Sequence, residues 1–256
     1  MASGRPTPLI RLGGDGAWCV EEEGAALLDT VRGPVCVVAV AGLYRTGKSF
    51  FLNSLAGRVG SPGSAAGGFR VGATSESCTR GIDVFVVPSD ESCAPACGAT
   101  LVLLDTEGLA SMEQDEGYDA QIFALALLLS SYFVINSMGV IDEAAIDRLY
   151  MISELGKHIC VNSAADDDAP AAIDPAELAG FFPPLCWLLR DFTLTLASDG
   201  EPITEQAYME KALEPRPQSA RRAAERNQIR AAIRDYFPAR HCRTLVRPAS
   251  DEADLR

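Results

Sequence analysis

Short unbroken apolar runs alternate along this chain with longer stretches of helical periodicity. That alternation is the pattern of a parallel sheet with crossover helices. Strands are expected over residues 35–41, 83–87, 100–105, 132–136, 185–190 and 243–246. Several of these are continuously apolar, as strands covered on both faces should be. Helices are expected over 48–56, 119–129, 142–155, 204–213 and 219–236. Thr204, followed by Glu205 and Gln206, is a fitting helix start, although Gln206 falls one place short of the capping-box spacing. Residues 60–72, rich in Gly, Ser and Ala, and residues 162–175, acidic and small, read as surface connectors. The composition of the second is that of a disordered stretch. No internal repeat or interdomain linker emerges, so residues 1–256 read as a single domain of the α/β class.

One segment, QIFALALLLSSYFVINSMGVI at 121–141, has the length of a bilayer span. Ser130, Ser131, Asn136 and Ser137 interrupt it, and acidic residues crowd both flanks. It reads instead as a buried helix running into a buried strand. The whole chain is 48% hydrophobic, with 22 basic residues against 35 acidic and a formal net charge of -13. Without a basic surplus to release phosphate counterions, broad nucleic-acid binding is not expected. A local basic pocket for one nucleotide is compatible with that balance. The 8 cysteines follow no framework spacing and the chain has only 2 histidines, which argues against a zinc site. Free thiols in a reducing compartment are the simpler reading. The N-terminus lacks an apolar core of signal-peptide length, so a cytoplasmic location is expected.

The chemistry concentrates in four places. GLYRTGKS at 42–49 has the spacing G-x-x-x-x-G-K-S, between an apolar strand and a helical stretch. In that context Gly42 and Gly47 let backbone N–H groups converge on phosphate oxygens at a helix N-terminus. Tyr44, Arg45, Thr46 and Phe50 complete the loop, Lys48 would neutralise the outer phosphates, and the Ser49 hydroxyl would ligate magnesium. Arg45 is unusual between the two glycines, being either a solvated side chain or a catalytic part. LVLLDTEGL at 101–109 supplies D-x-x-G: Asp105 toward magnesium, and the Gly108 N–H toward a terminal phosphate. TSESCTRGIDVF at 74–85 lies where a nucleotide switch supplies a magnesium-binding threonine, and spacing alone leaves Thr79 and Thr74 open. For base recognition no N-K-x-D is present. Arg190-Asp191 ends an apolar strand instead, a pair too common to be informative by itself.

Together, GLYRTGKSFFLNSLAG, SCTRGI, LLDTEGL, FVINSMGVIDEAAIDRLY and WLLRDFTLTLASDGEPIT resemble the guanylate-binding proteins, dynamin-superfamily GTPases that include the atlastins. The matching segments run in family order over nearly the whole chain. The resemblance implies a P-loop NTPase three-layer fold with a mostly parallel central sheet flanked by helices. It implies a magnesium-dependent GTPase that forms a nucleotide-dependent homodimer through its nucleotide face, with Arg45 as an internal arginine finger. Ser77 matches the serine that positions the attacking water, Thr79 the magnesium-binding switch threonine, and Glu107 the glutamate supporting the water network. Arg190 and Asp191 match the guanine-specifying pair, and the guanine cap should follow within 198–226. Cys78 stands where family members that make GMP often carry histidine, so GDP is the expected main product. The family's helical region and a prenylation motif are missing from this chain, which reads as an isolated GTPase domain or a reduced paralogue, with membrane association only indirect. The alternatives are a nucleotide-dependent assembly module with little hydrolysis, an ATPase of the same fold, or an atlastin-like fusion role.

Overall fold

The computed structural model describes residues 5–57, 68–71, 80–87, 98–109, 116–150, 152, 179–217 and 222–247. The chain divides into two compact units, Met1–Asn136 with Pro248–Arg256, and Ser137–Arg247.

In the first unit β1 (Thr7–Leu12) and β2 (Trp18–Val20) form a hairpin, followed by α1 (Glu22–Leu28). Next come β3 (Val35–Ala41), α2 (Lys48–Leu55), β4 (Ile82–Val86), β5 (Thr100–Thr106) and α3 (Glu116–Leu129). The last strand, β6 (Tyr132–Met138), belongs to this unit up to Asn136. The strand order is β6-β3-β5-β4-β1-β2. β3 pairs in parallel with both β5 and β6, and an antiparallel edge of β4, β1 and β2 is added beyond β5. The continuous apolar sequences of β3 and β5 are thereby explained: Ala39, Val40, Leu103 and Leu104 are all at most 2% exposed. α3 is apolar around most of its girth and turns Ile122, Phe123, Ala126 and Leu127 into the core. There Phe123 meets Phe133 of β6 edge-on at 5.1 Å. The segment 121–141 is thus helix followed by strand, and among the described residues no helix is long and apolar enough to cross a membrane.

The second unit contains α4 (Glu143–Asp147), β7 (Leu185–Arg190), a small hairpin of β8 (Ala197–Ser198) and β9 (Glu201–Pro202), α5 (Glu205–Ala212), α6 (Ala223–Tyr236) and β10 (Arg240–Leu245). β10 runs parallel to β7, from Arg240 opposite Leu185 to Leu245 opposite Arg190. Every residue of β7 is buried, including Trp187, whose indole N–H donates to the Ser137 hydroxyl at 2.8 Å. α5 is capped by Thr204, whose hydroxyl accepts the Ala207 N–H at 3.1 Å. α4 is capped likewise by Asp142 on Ala145 N–H at 2.7 Å. A charged lattice ties α6 to α4: Arg226 to Asp147 through two bonds of 2.7 Å, and the buried Arg230 to Glu143 at 2.6 Å and to the Ala212 carbonyl at 3.0 Å.

The fold class is α/β, as expected. Strands 35–41 and 185–190 have the expected bounds; the 243–246 strand begins earlier, at Arg240. Within the expected 142–155 helix, α4 stops at Asp147 and Tyr150 and Ile152 are again helical, residues 151 and 153–155 lying outside the described part. β1, β2 and α1 were not anticipated. The proline-containing TPLIRL, buried at Thr7, Leu9 and Ile10 without alternation, and the three-residue WCV carry too little period-2 signal to stand out.

Candidate functional site

Strand register assembles the site. Val40 of β3 stands opposite Asp105 of β5, and Ala41 opposite Ile135 of β6. The loop leaving β3 therefore emerges between the end of D-T-E-G and Asn136. The D-T-E-G side grips it by backbone. The Leu109 N–H donates to the Gly42 carbonyl and the Tyr44 N–H to the Leu109 carbonyl, each at 3.1 Å. The approach is so close that only glycine fits: a Cβ on Gly42 would sit 2.1 Å from the Asn136 carbonyl oxygen, and one on Gly108 would sit 2.2 Å from the Tyr44 Cα.

Side chains complete the grip. Asn136 donates through Nδ2 to the Thr46 carbonyl at 3.0 Å and to its hydroxyl at 2.8 Å. The Thr46 hydroxyl in turn donates to the Leu43 carbonyl at 2.7 Å. Thr106 donates to the Val40 carbonyl at 2.8 Å, pinning β5 against β3 just below the loop. Gly47 adopts a left-handed conformation at the N-cap of α2, which turns the chain into the helix. The N–H groups that open that helix have no partners within it, the electrostatic setting that favours an anion.

Lys48 is buried, and its ammonium donates to the Leu43 carbonyl at 3.1 Å. Burial holds its pKa below the ordinary lysine value, while Asp105, Glu107 and Asp119 pull it back up. The Ser49 hydroxyl donates to Asp105 Oδ2 at 2.7 Å. That hydroxyl and carboxylate are hard oxygen donors of the kind magnesium takes, so the donor set fits the metal. Among the described residues no cluster of three His, Cys, Asp or Glu could hold a metal ion.

Arg45 is exposed and left-handed, with φ at 60°. Tyr44 is exposed beside it, and Phe50 half-buried. Glu107 is buried instead: its Oε2 accepts the Gly81 N–H at 3.1 Å and a short hydrogen bond from the Tyr118 hydroxyl. Ser77 and Thr79, with Thr74 and Cys78, lie outside the described residues.

In the second unit Arg190 closes β7, buried, with its guanidinium pKa lowered by burial and raised again by Asp191. Asp191 follows half-buried with φ at 54°, so the chain turns sharply as it leaves the strand. Phe192 is tied to β10 through its N–H on the Leu245 carbonyl at 3.2 Å and stacks edge-on with Tyr208 of α5 at 5.7 Å.

The structure thus brings Gly42, Thr46, Gly47, Lys48, Ser49, Asp105, Glu107 and Gly108 together in the first unit, with Arg190 and Asp191 adjacent in the second. Sequence reasoning missed Asn136, Thr106 and Tyr118 as site residues. Asn136 left a signal, as a polar residue interrupting an apolar strand. Tyr118 left none.

A family model, "Guanylate-binding protein, N-terminal domain", matches residues 15–255. Guanylate-binding protein 2 of Homo sapiens is 43% identical over 91% of this chain and 38% of its own length. Guanylate-binding protein 5 of Mus musculus is 41% identical over 95% of this chain and 40% of its own. This chain therefore spans about two fifths of the relatives it matches. A dimerization-deficient mutant of Toc33 from Arabidopsis thaliana, a solved structure, is a distant likeness at TM-score 0.43 and 16% identity, covering 91% of this chain and 80% of that one.

Proposed function

Because this chain belongs to the guanylate-binding protein N-terminal-domain family, we propose that it binds GTP with magnesium on the GLYRTGKS loop and hydrolyses it, chiefly to GDP. The observation that carries this reading is the Ser49–Asp105 hydrogen bond. It joins the last residue of one phosphate-binding sequence to the first of the other, directly at the start of α2.

The chain's own residues divide the work. Gly42, Tyr44, Thr46, Gly47 and Phe50 shape the loop, and the backbone N–H groups around Gly47 and Gly108 face the phosphates. Lys48, whose ammonium rests on the Leu43 carbonyl, would turn to the outer phosphates when a polyphosphate arrives. Ser49 and Asp105, with Thr79, would hold magnesium, which when bound neutralises charge developing on the phosphoryl oxygens. Ser77 and Glu107 serve the attacking water, and Arg190 with Asp191 reads the guanine edge. Arg45 is the part left outside the packed floor, as a finger that engages when two copies meet across their nucleotide faces should be. Membrane association would be indirect, and the cytoplasm is the proposed compartment.

Steady-state phosphate release from GTP with magnesium tests the reading, paired with size measurement in GDP, a non-hydrolysable GTP analogue and a transition-state mimic. Turnover well above that of Arg45→Ala, with dimers only in the last two states, is expected. A wild-type rate no higher than that variant's would leave a nucleotide-dependent assembly module without an enzyme. Tighter binding of ATP than GTP would contradict the role given to Asp191.

A further inference from the structure

Glu107 is expected at the water, yet its carboxylate is only 2% exposed as a residue and is held from two sides. The register of β4 and β5, with Ile82 opposite Thr106, brings Gly81 level with Glu107. Their backbones pair, Glu107 N–H to Gly81 carbonyl at 2.8 Å, and the Glu107 carboxylate then takes the Gly81 N–H as well. One residue therefore closes both backbone groups of Gly81. In the chain, Gly81 stands two residues after Thr79.

The other side of the carboxylate is set by Tyr118, in the first turn of α3. Its ring lies against Trp18 of β2, with centroids 5.1 Å apart. The Trp18 indole N–H donates to Gln121 at 2.7 Å, three residues along α3 from Tyr118. The tyrosine is thus oriented by a contact wholly separate from the phosphate loop.

We infer that Tyr118 is a positioning residue: its hydroxyl holds the Glu107 carboxylate on the Gly81 amide, and so fixes where the chain carrying Ser77 and Thr79 enters β4. The inference deepens the GTPase reading and rests on it for its catalytic consequence. Tyr118 acts through Glu107 and on the Gly81 backbone itself, which also bonds the phenol oxygen. Burial and the Glu107 carboxylate both raise the Tyr118 pKa, so the phenol remains a donor throughout the working range.

The test has two arms on the full chain. In the first, amide exchange at Gly81 is followed by NMR without nucleotide turnover. Tyr118→Phe keeps the ring against Trp18 and removes only the hydroxyl. It should speed exchange at Gly81 about tenfold, the scale of one buried hydrogen bond to a charged group, with β3 amides unchanged. Wild-type exchange at Gly81 in that variant overturns the inference. In the second arm, Tyr118→Phe should lower kcat roughly tenfold, with KM for GTP within about twofold, and cause a clearly smaller loss in a Glu107→Gln background. An equal fractional loss in both backgrounds overturns the route through Glu107. Should Tyr118→Phe fail to fold, Glu107→Ala, which removes the acceptor shared by Tyr118 and Gly81, is read by the same exchange, and undiminished Gly81 protection counts against the inference. A wild type without turnover sinks the GTPase reading alone, since the exchange arm still reports on Tyr118.

Discussion

Replacing Arg45 with glycine should raise stability and abolish turnover in the same molecule. Arg45 is held at φ 60°, where the Cβ of an L residue crowds the following carbonyl at a cost of roughly 1–2 kcal/mol. Glycine removes that crowding but gives the unfolded chain more freedom, which costs about 0.5–1 kcal/mol. Taking the middle of each range, the net gain is about 0.75 kcal/mol. At roughly 2–4 °C per kcal/mol for a chain of this size, Tm should rise by about 1–4 °C. Little packing is lost, because the side chain is exposed. Turnover should fall by roughly 10³–10⁵, the range for a finger arginine in GTPases, while GDP affinity stays near that of wild type.

Arg45→Ala is the control. It keeps a Cβ in the same backbone conformation, so Tm should stay within about 1 °C of wild type while turnover falls as far as in Arg45→Gly. Calorimetry, phosphate release and fluorescent-GDP binding on the three proteins read these quantities separately. A lower Tm for Arg45→Gly would show that the side chain packs or that the conformation carries no strain. Retention of turnover to within tenfold would remove Arg45 from the chemistry altogether.

Three further outcomes follow from the same geometry. Gly108→Ala puts a methyl 2.2 Å from the Tyr44 Cα, so the phosphate loop must retreat by more than an ångström to reach ordinary contact; turnover should fall about 100-fold, with a stability loss of about 1–3 kcal/mol in thermal melts. Glu143→Ala strips the buried Arg230 of its carboxylate and should destabilise by about 2–3 kcal/mol. That is less than a fully buried pair would lose, because Glu143 is partly exposed, whereas Arg230→Met should be nearly neutral in urea unfolding, with Arg226 still near Glu143. Burial raises the Cys242 thiol from 9.0 to about 12, so the folded state disfavours its thiolate. Its share of stability is therefore complete below pH 9 and is lost as pH rises toward 12, at most about 1.4 kcal/mol per unit. A Cys242→Ala variant should show a flatter decline over that window, and iodoacetamide at pH 8 should label the exposed Cys19 long before Cys242.

The sheet's parallel core was legible because burial on both faces writes itself as an unbroken apolar run, as in VCVVAVA and LCWLLR. The glycines of GLYRTGKS and D-T-E-G were legible because backbone geometry there demands glycine at fixed spacing, and the Gly42 and Gly108 contacts show why. The antiparallel edge was hidden because β1 and β2 are short and partly exposed, so neither period nor run length marks them. Tyr118 was hidden for a different reason. Its role depends on a helix laid against β2 and a carboxylate just past the end of β5, and no local pattern encodes a contact between residues brought together only by the fold. Asn136 stands between these cases. A polar residue in an apolar strand must find a partner or be very costly to bury, so the sequence flags the need, and the fold supplies Thr46 as the answer.

The anchors of the phosphate loop share one property that bears on mechanism. Asn136, Thr106 and Asp105 lie near the ends of the two strands that flank β3, with Leu109 three residues beyond β5, so strand register sets the position of the side-chain contacts. A shift of β5 by one residue would turn Asp105 and Thr106 to opposite faces and lose the Ser49 and Val40 contacts together. The loop floor is therefore as rigid as the sheet beneath it, and it can change little between nucleotide states without breaking the core. Freedom is left to residues that point away from that floor. Arg45 is exposed and strained, and Tyr44 is exposed beside it. On the proposed reading, a rigid cradle with one strained arginine at its lip would bind nucleotide in a single copy, yet need a second surface to fix the arginine's position. Binding and acceleration would then be separable, and loss of Arg45 should be felt in turnover and hardly in affinity.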